Sequence, residues 1–168
     1  MTTDIHAGYP AAFGRDAAGP ADYERIRRVA DGIAPFNVHA GVHITELGPD
    51  RAVVEIPDLD HLRNHLDTVH AGALFLAADI AGAAAFVGAV AHDMQRIDSL
   101  VMRDGRTAFR RPARGRIRAV GAVDPGLLAP VLAAVGSGRH DVDAKVLAYD
   151  DHGVLVAKFS FDYVCTVR

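Results

Sequence analysis

A single cysteine in 168 residues, Cys165, excludes an internal disulfide and suits a reducing cytosol. The first twenty residues contain no basic stretch leading into an apolar one, so no secretory signal is expected and they read as a tail or arm. Internal repeats and low-complexity tracts are absent. With a formal net charge of −3, the chain lacks the basic excess of a general nucleic-acid binder. Half of the residues are hydrophobic and 23% are charged, an ordinary globular balance, and the length suffices for one domain with a real core.

Polar side chains are scarcest between residues 71 and 91, AGALFLAADIAGAAAFVGAVA, where Asp79 is the only one. As a helix this run is about 31 Å long, enough to cross a bilayer. Its Ala and Gly content gives little transfer energy, and an acid near its middle opposes insertion. The expectation is a helix enclosed on nearly all sides by its own protein, with no membrane as partner. A carboxylate there must shift its pKa or find a partner.

The flanking segments supply what would enclose it. Residues 20–33 predict a helix capped by Asp22, with Tyr23, Ile26, Val29 and Ile33 on one face and Gly32 and Pro35 ending it. Val38, Ala40, Val42 and Ile44 alternate with polar or small residues, as in a half-buried strand. Gly48-Pro49-Asp50 turns into a second strand, Ala52 to Ile56. Four more strands are predicted near 99–110, 115–123, 141–149 and 154–167. In the last, Leu155, Ala157, Phe159, Phe161, Tyr163, Cys165 and Val167 share one face. Asp150 to Gly153 reads as a hairpin turn, and Asp104-Gly105 as a second hairpin or a bulge. The segment DPGLLAPVLAAVGSG predicts a short helical insertion near 125–138.

Two strands, one buried helix and a meander of long strands make an α+β domain in which an antiparallel sheet must curl around the helix. That is the hotdog fold. It assigns residues 1–35 to an arm and short helix and 36–168 to a single hotdog domain.

Within this frame the segment from Asn64 to Asp79, NHLDTVHAGALFLAAD, resembles the signature of hotdog thioesterases of the phenylacetate-degradation (PaaI) type. In that family an Asn is followed six residues later by His-Gly-Gly, and fifteen residues later by a helix acid. Asn64, His70 and Asp79 keep this register over a resemblance spanning about residues 36 to 167. The one departure is His70-Ala71-Gly72, and Ala serves in place of Gly where φ is negative.

The resemblance implies an acyl-CoA thioesterase, with no metal and no cofactor. The helix start offers the Ala71 and Gly72 amides as oxyanion donors, each worth about 3–4 kcal/mol of barrier. Asp79 would be the general base for water or a nucleophile forming an anhydride. It could also be a structural acid paired across an interface. Asn64 either orients the water or carbonyl or caps its loop. His70 reads more as a helix-start residue than as a base. Phe75, Leu76, Ala83 and Phe86 would give the acid a dry stripe, and Phe75, Phe86 and the insertion would shape the acyl pocket.

Ala71 and Asp79 lie about 12 Å apart along a helix, so one subunit can hardly bring both to one carbonyl. The expected protein is therefore a homo-oligomer, a dimer or a tetramer, with the site between subunits, as in the resembled family. Residues 103–118 hold seven arginines against one acid, Asp104. Arg110, Arg111 and Arg114 could grip coenzyme A phosphates, or form a solvated strand face. Phe109 is the one aromatic among them, too few for nucleic-acid stacking platforms. His61, His65 and His70 match no common zinc spacing. Two other readings stand beside the thioesterase: a non-catalytic acyl-thioester-binding hotdog protein, and an enoyl-thioester hydratase or dehydratase, whose loop motifs are missing.

Overall fold

A computed structural model describes residues 9–13, 20–133 and 136–168 of the chain. The first eight residues of the expected arm, the stretch 14–19 and residues 134–135 of the expected helical insertion therefore lie outside the described residues.

Helix α1 (Tyr9–Phe13) precedes α2 (Tyr23–Ile33), α3 (Pro35–Ala40), β1 (His43–Leu47) and β2 (Arg51–Ile56). The long helix α4 (Ala71–Ala89) is followed by β3 (Ile97–Phe109), β4 (Ile117–Val123), α5 (Pro125–Ala133), β5 (Gly138–Tyr149) and β6 (Leu155–Val167). The six strands form one antiparallel sheet in the order β1-β2-β4-β5-β6-β3. It curls around α4, which packs against β1, β2, β4, β5 and β6. This is the hotdog fold.

Ten of the nineteen residues of α4 are buried, so its length and apolar composition reflect enclosure within the protein. Small residues bring it close to the sheet. At Gly121 on β4 and at Gly88 on α4, a Cβ would collide with the backbone carbonyls of Ala81 and Gly48 respectively. The inward faces of the strands complete the core, from Ala52, Val54 and Ile56 to Phe161 and Tyr163.

The predicted α2 is present, with the Asp22 side chain accepting from the Arg25 N–H at 2.9 Å. The strand expected from Val38 onward is corrected: residues 35–40 form α3, and β1 starts only at His43. Pro35 occupies the first helical turn, and Gly41, at φ 72°, closes the helix with a left-handed cap. Val38 is 53% exposed, so its place in an alternating pattern carried no burial. At Asp104-Gly105 the chain has a bulge within β3, the register shifting between Met102 and Asp104.

The two sheet edges differ. On β1 the backbone of Ile44 is covered by α2: its N–H donates to Asp31 Oδ1 and its carbonyl accepts from Arg27 Nη1, both at 2.6 Å. On β3, thirteen residues long, the edge away from β6 has no strand beside it among the described residues, and Val101 is 61% exposed.

Candidate active site

The loop before α4 is braced by its own side chains. Asn64 Oδ1 accepts from the Leu66 N–H at 2.9 Å and the Thr68 N–H at 3.3 Å, while its Nδ2 donates to Thr68 Oγ1 at 2.9 Å. Asp67 takes φ 53° within the resulting turn, and Arg114 Nη1 donates to its carbonyl at 2.9 Å. Asn64 therefore holds the loop that presents the helix start.

His70 is the N-cap of α4, and its Nδ1 accepts from the Gly72 N–H at 2.9 Å. The Ala73 and Leu74 N–H groups both reach the His70 carbonyl. That leaves the Ala71 N–H, among the described residues, as the donor at this helix start with no acceptor. Positive φ is confined to Asp67 among described non-glycine residues, so alanine fits position 71 without strain. Of the two expected oxyanion donors, Gly72 is engaged and Ala71 is free.

Asp79 lies two turns further along α4, partly buried. Tyr163, 2% exposed on β6, donates its hydroxyl to Asp79 Oδ1 at 3.0 Å and approaches the Asp79 backbone carbonyl at 3.1 Å. Burial raises the carboxyl pKa above its ordinary value, and the Tyr163 hydrogen bond opposes the rise. The tyrosine's own ionisation is pushed far up by burial and by the neighbouring carboxylate. Tyr163 was legible as a core position only: it shared an apolar strand face, and nothing in the pattern tied it to Asp79.

Two separate cavities flank these groups. Asp79 opens into one of about 360 Å³, lined along α4 by Ile80, Ala83, Ala84 and Val87 and on β3 by Ser99 and Leu100. Asn64, Thr68, Ala71, Phe109, Arg110 and Arg111 line another, of about 590 Å³. No described residue lines both. Phe75 lines neither; its ring packs edge-on against Phe161 at 5.4 Å and Phe159 at 6.3 Å. Phe86 is fully buried.

The Arg110 and Arg111 amides share the Val156 carbonyl, which fixes the backbone there, and their guanidinium groups have no partner among the described residues. Both also border a cleft of about 560 Å³ with Lys158. By contrast Arg103, Arg116 and Arg118 are held by Asp141, Asp151 and Glu46. Among the described residues no group of three or more His, Cys, Asp or Glu could hold a metal ion.

Residues 23–164 match a family described as a domain of unknown function, DUF4442. The chain belongs to the DUF4442 family. No curated protein matches it. Among solved structures this DUF4442 protein is similar to a Pseudomonas aeruginosa protein described as a "Probable Thioesterase", at 22% identity and TM-score 0.72, covering 90% of this chain and 100% of that one. It is also similar to a Haemophilus influenzae thioesterase, at 14% identity and TM-score 0.67, covering 88% and 92%. A mutant of the phenylacetic acid degradation protein PaaI from Thermus thermophilus aligns at 23% identity and TM-score 0.59, covering 78% and 98%. At these identities the likeness is one of fold, and the fold is that of hotdog thioesterases.

Proposed function

We propose that this DUF4442 protein is a cytoplasmic acyl-CoA thioesterase acting as a homo-oligomer, its sites shared between two subunits. The observation that carries the reading is Asp79: a carboxylate of raised pKa on the central helix, opening into an apolar cavity. As general base it takes a proton from water attacking the thioester carbonyl, or as nucleophile it attacks directly. The developing oxyanion accepts from the Ala71 N–H at the positive end of α4. On the base route the thiolate of coenzyme A leaves with the proton Asp79 took from water. On the nucleophile route it leaves as the Asp79 acyl anhydride forms, and water then hydrolyses that anhydride, releasing the acid and protonating the thiolate. Arg110 and Arg111 take the coenzyme's phosphates, with Lys158 beside them.

Two features support a shared site. The Asp79 cavity touches the start of β3, at Ser99 and Leu100, while the Ala71 cavity touches its end, at Phe109. Antiparallel pairing of two free β3 edges about a two-fold axis puts the start of one beside the end of the other. Asp79 of each subunit then faces the Ala71 cavity of its neighbour.

The test is complementation. Asp79→Asn and Ala71→Pro proteins are each expected to release almost no thiol from acyl-CoA. After subunit exchange, a statistical mixture contains one intact site in each heterodimer and should recover about a quarter of wild-type activity. Verified exchange without recovery would rule out a shared site. A wild type that hydrolyses no acyl-CoA faster than Asp79→Asn does would rule out the thioesterase, and hydration of enoyl-CoA would replace it with a hydratase.

A further inference from the structure

The cavity beside Asp79 has a wall that the family match does not include. The match begins at residue 23, yet Tyr9, Ala12 and Phe13 of α1 line the cavity together with α4. Helix α1 packs against α2, the turn at 91–96 and β3, so it roofs the space between them. Its placement is anchored. Phe13 is 4% exposed, its ring lies 5.6 Å from that of Tyr9, and its carbonyl accepts from Arg25 Nη1 at 2.8 Å. Tyr9 and Asp79 line the same cavity, and burial, with Cys165 and Asp79 nearby, pushes the Tyr9 hydroxyl's ionisation upward.

We propose that α1 is a specificity wall, with Tyr9 and Phe13 limiting the thioester's acyl group to short and medium apolar chains. This rests on the thioesterase reading above. The acid end of the cavity is Asp79, and the lining then runs through Ile80, Ala83, Ala84 and Val87, one face of α4 pointing away from Ala71. Asp79 to Val87 spans about 12 Å of helix. At about 1.3 Å per methylene, that length holds a chain of about eight to ten carbons. Among the described residues, the polar lining groups besides Asp79 are Asn37, Asp98, Ser99 and the Tyr9 hydroxyl, and no described cation lines the cavity to receive a charged acyl terminus. A volume near 360 Å³ lies at the small end of ligand pockets.

Straight-chain acyl-CoAs from acetyl to palmitoyl, assayed with wild type, Phe13→Ala and Ala12→Trp, test the proposal. The readout is the ratio of kcat/KM for myristoyl-CoA to that for hexanoyl-CoA. Phe13→Ala opens the wall and should raise this ratio about tenfold or more. Ala12→Trp fills the space and should lower the octanoyl-to-acetyl ratio by a similar factor; it decides the matter if Phe13→Ala does not fold. Calorimetric titration of the free carboxylic acids gives the same profile without turnover. Ratios unchanged in both variants, by kinetics and by binding, overturn the wall and leave the thioesterase standing. Shifted acid binding with no hydrolysis of any thioester by wild type keeps the wall and removes the thioesterase.

Discussion

Tyr163 donates its hydroxyl to Asp79 Oδ1 at 3.0 Å from inside the core, so the acid meets a buried donor on one side and an apolar cavity on the other. The two surroundings act in opposite directions. Desolvation favours the neutral acid, whereas the hydrogen bond favours the carboxylate. Tyr163 reaches Asp79 because residue 82 is glycine: a Cβ there would stand 2.8 Å from the hydroxyl.

Removing that donor should therefore raise the Asp79 pKa further. In Tyr163→Phe the acid limb of the pH profile of kcat/KM moves to higher pH, because the base ionises later. Stability falls by about 1 kcal/mol for the lost hydrogen bond. Gly82→Ala, which displaces the hydroxyl without deleting it, should shift the limb in the same direction. An unmoved limb in both variants would disconnect Tyr163 from the working acid.

Asp79→Asn should separate activity from stability. On the proposed mechanism with Asp79 as general base, its loss costs about 10²–10⁴ in kcat. Yet the folded protein holds the Asp79 proton more tightly than the unfolded chain does, since burial raises the pKa. The wild type thus loses stability as pH rises from the ordinary Asp range through the folded value. Asn carries no such cost and still accepts from Tyr163. Thermal unfolding should give Asp79→Asn the higher Tm at neutral pH, with the gap closing at low pH.

Much of this arrangement was legible along the chain, and the rest was hidden for physical reasons. Long-range alternation is strong where a strand has one buried face, so β4, β5 and β6 and the enclosed α4 could be read directly. The same period misled at Val38 and Ala40. Over so short a stretch it cannot outweigh Pro35 and Gly41, which start and stop a helix. Asn64, His70 and Asp79 stood out because their offsets are local. Tyr163 did not, being 84 residues from Asp79 and joined to it only by the curl of the sheet. Which helix-start amide stays free was likewise unreadable, since it depends on the His70 ring turning back to Gly72.

That distinction between Ala71 and Gly72 gives a clean substitution. Ala71 is the first residue of α4, where proline is tolerated, and His70 has φ −62° and ψ 138°, the extended backbone a following proline requires. Ala71→Pro thus removes one N–H and little else. Its unfolding free energy should stay within about 0.5 kcal/mol of wild type. Its kcat should fall about 10²–10³-fold if this amide binds the oxyanion. Ala71→Gly keeps the N–H and should retain wild-type kcat. Equal activity in all three proteins would move the oxyanion site elsewhere.

The arginines next to the Ala71 cavity divide by what already holds them, and their variants should divide in the same way. Arg110 and Arg111 present guanidinium groups with no partner among the described residues, from a backbone fixed on Val156, whereas Arg114 is tied to the Asp67 carbonyl. Arg110→Ala and Arg111→Ala should each raise KM for acyl-CoA about five- to tenfold, roughly 1–1.4 kcal/mol of phosphate contact, with kcat little changed. Added salt should shrink that difference. With an acyl-pantetheine substrate, which lacks the nucleotide phosphates, both variants should match wild type. Arg114→Ala loosens the loop that carries Asn64 and should lower kcat on either substrate. An equal loss on acyl-CoA and acyl-pantetheine for Arg110→Ala and Arg111→Ala would take the phosphates away from these two residues.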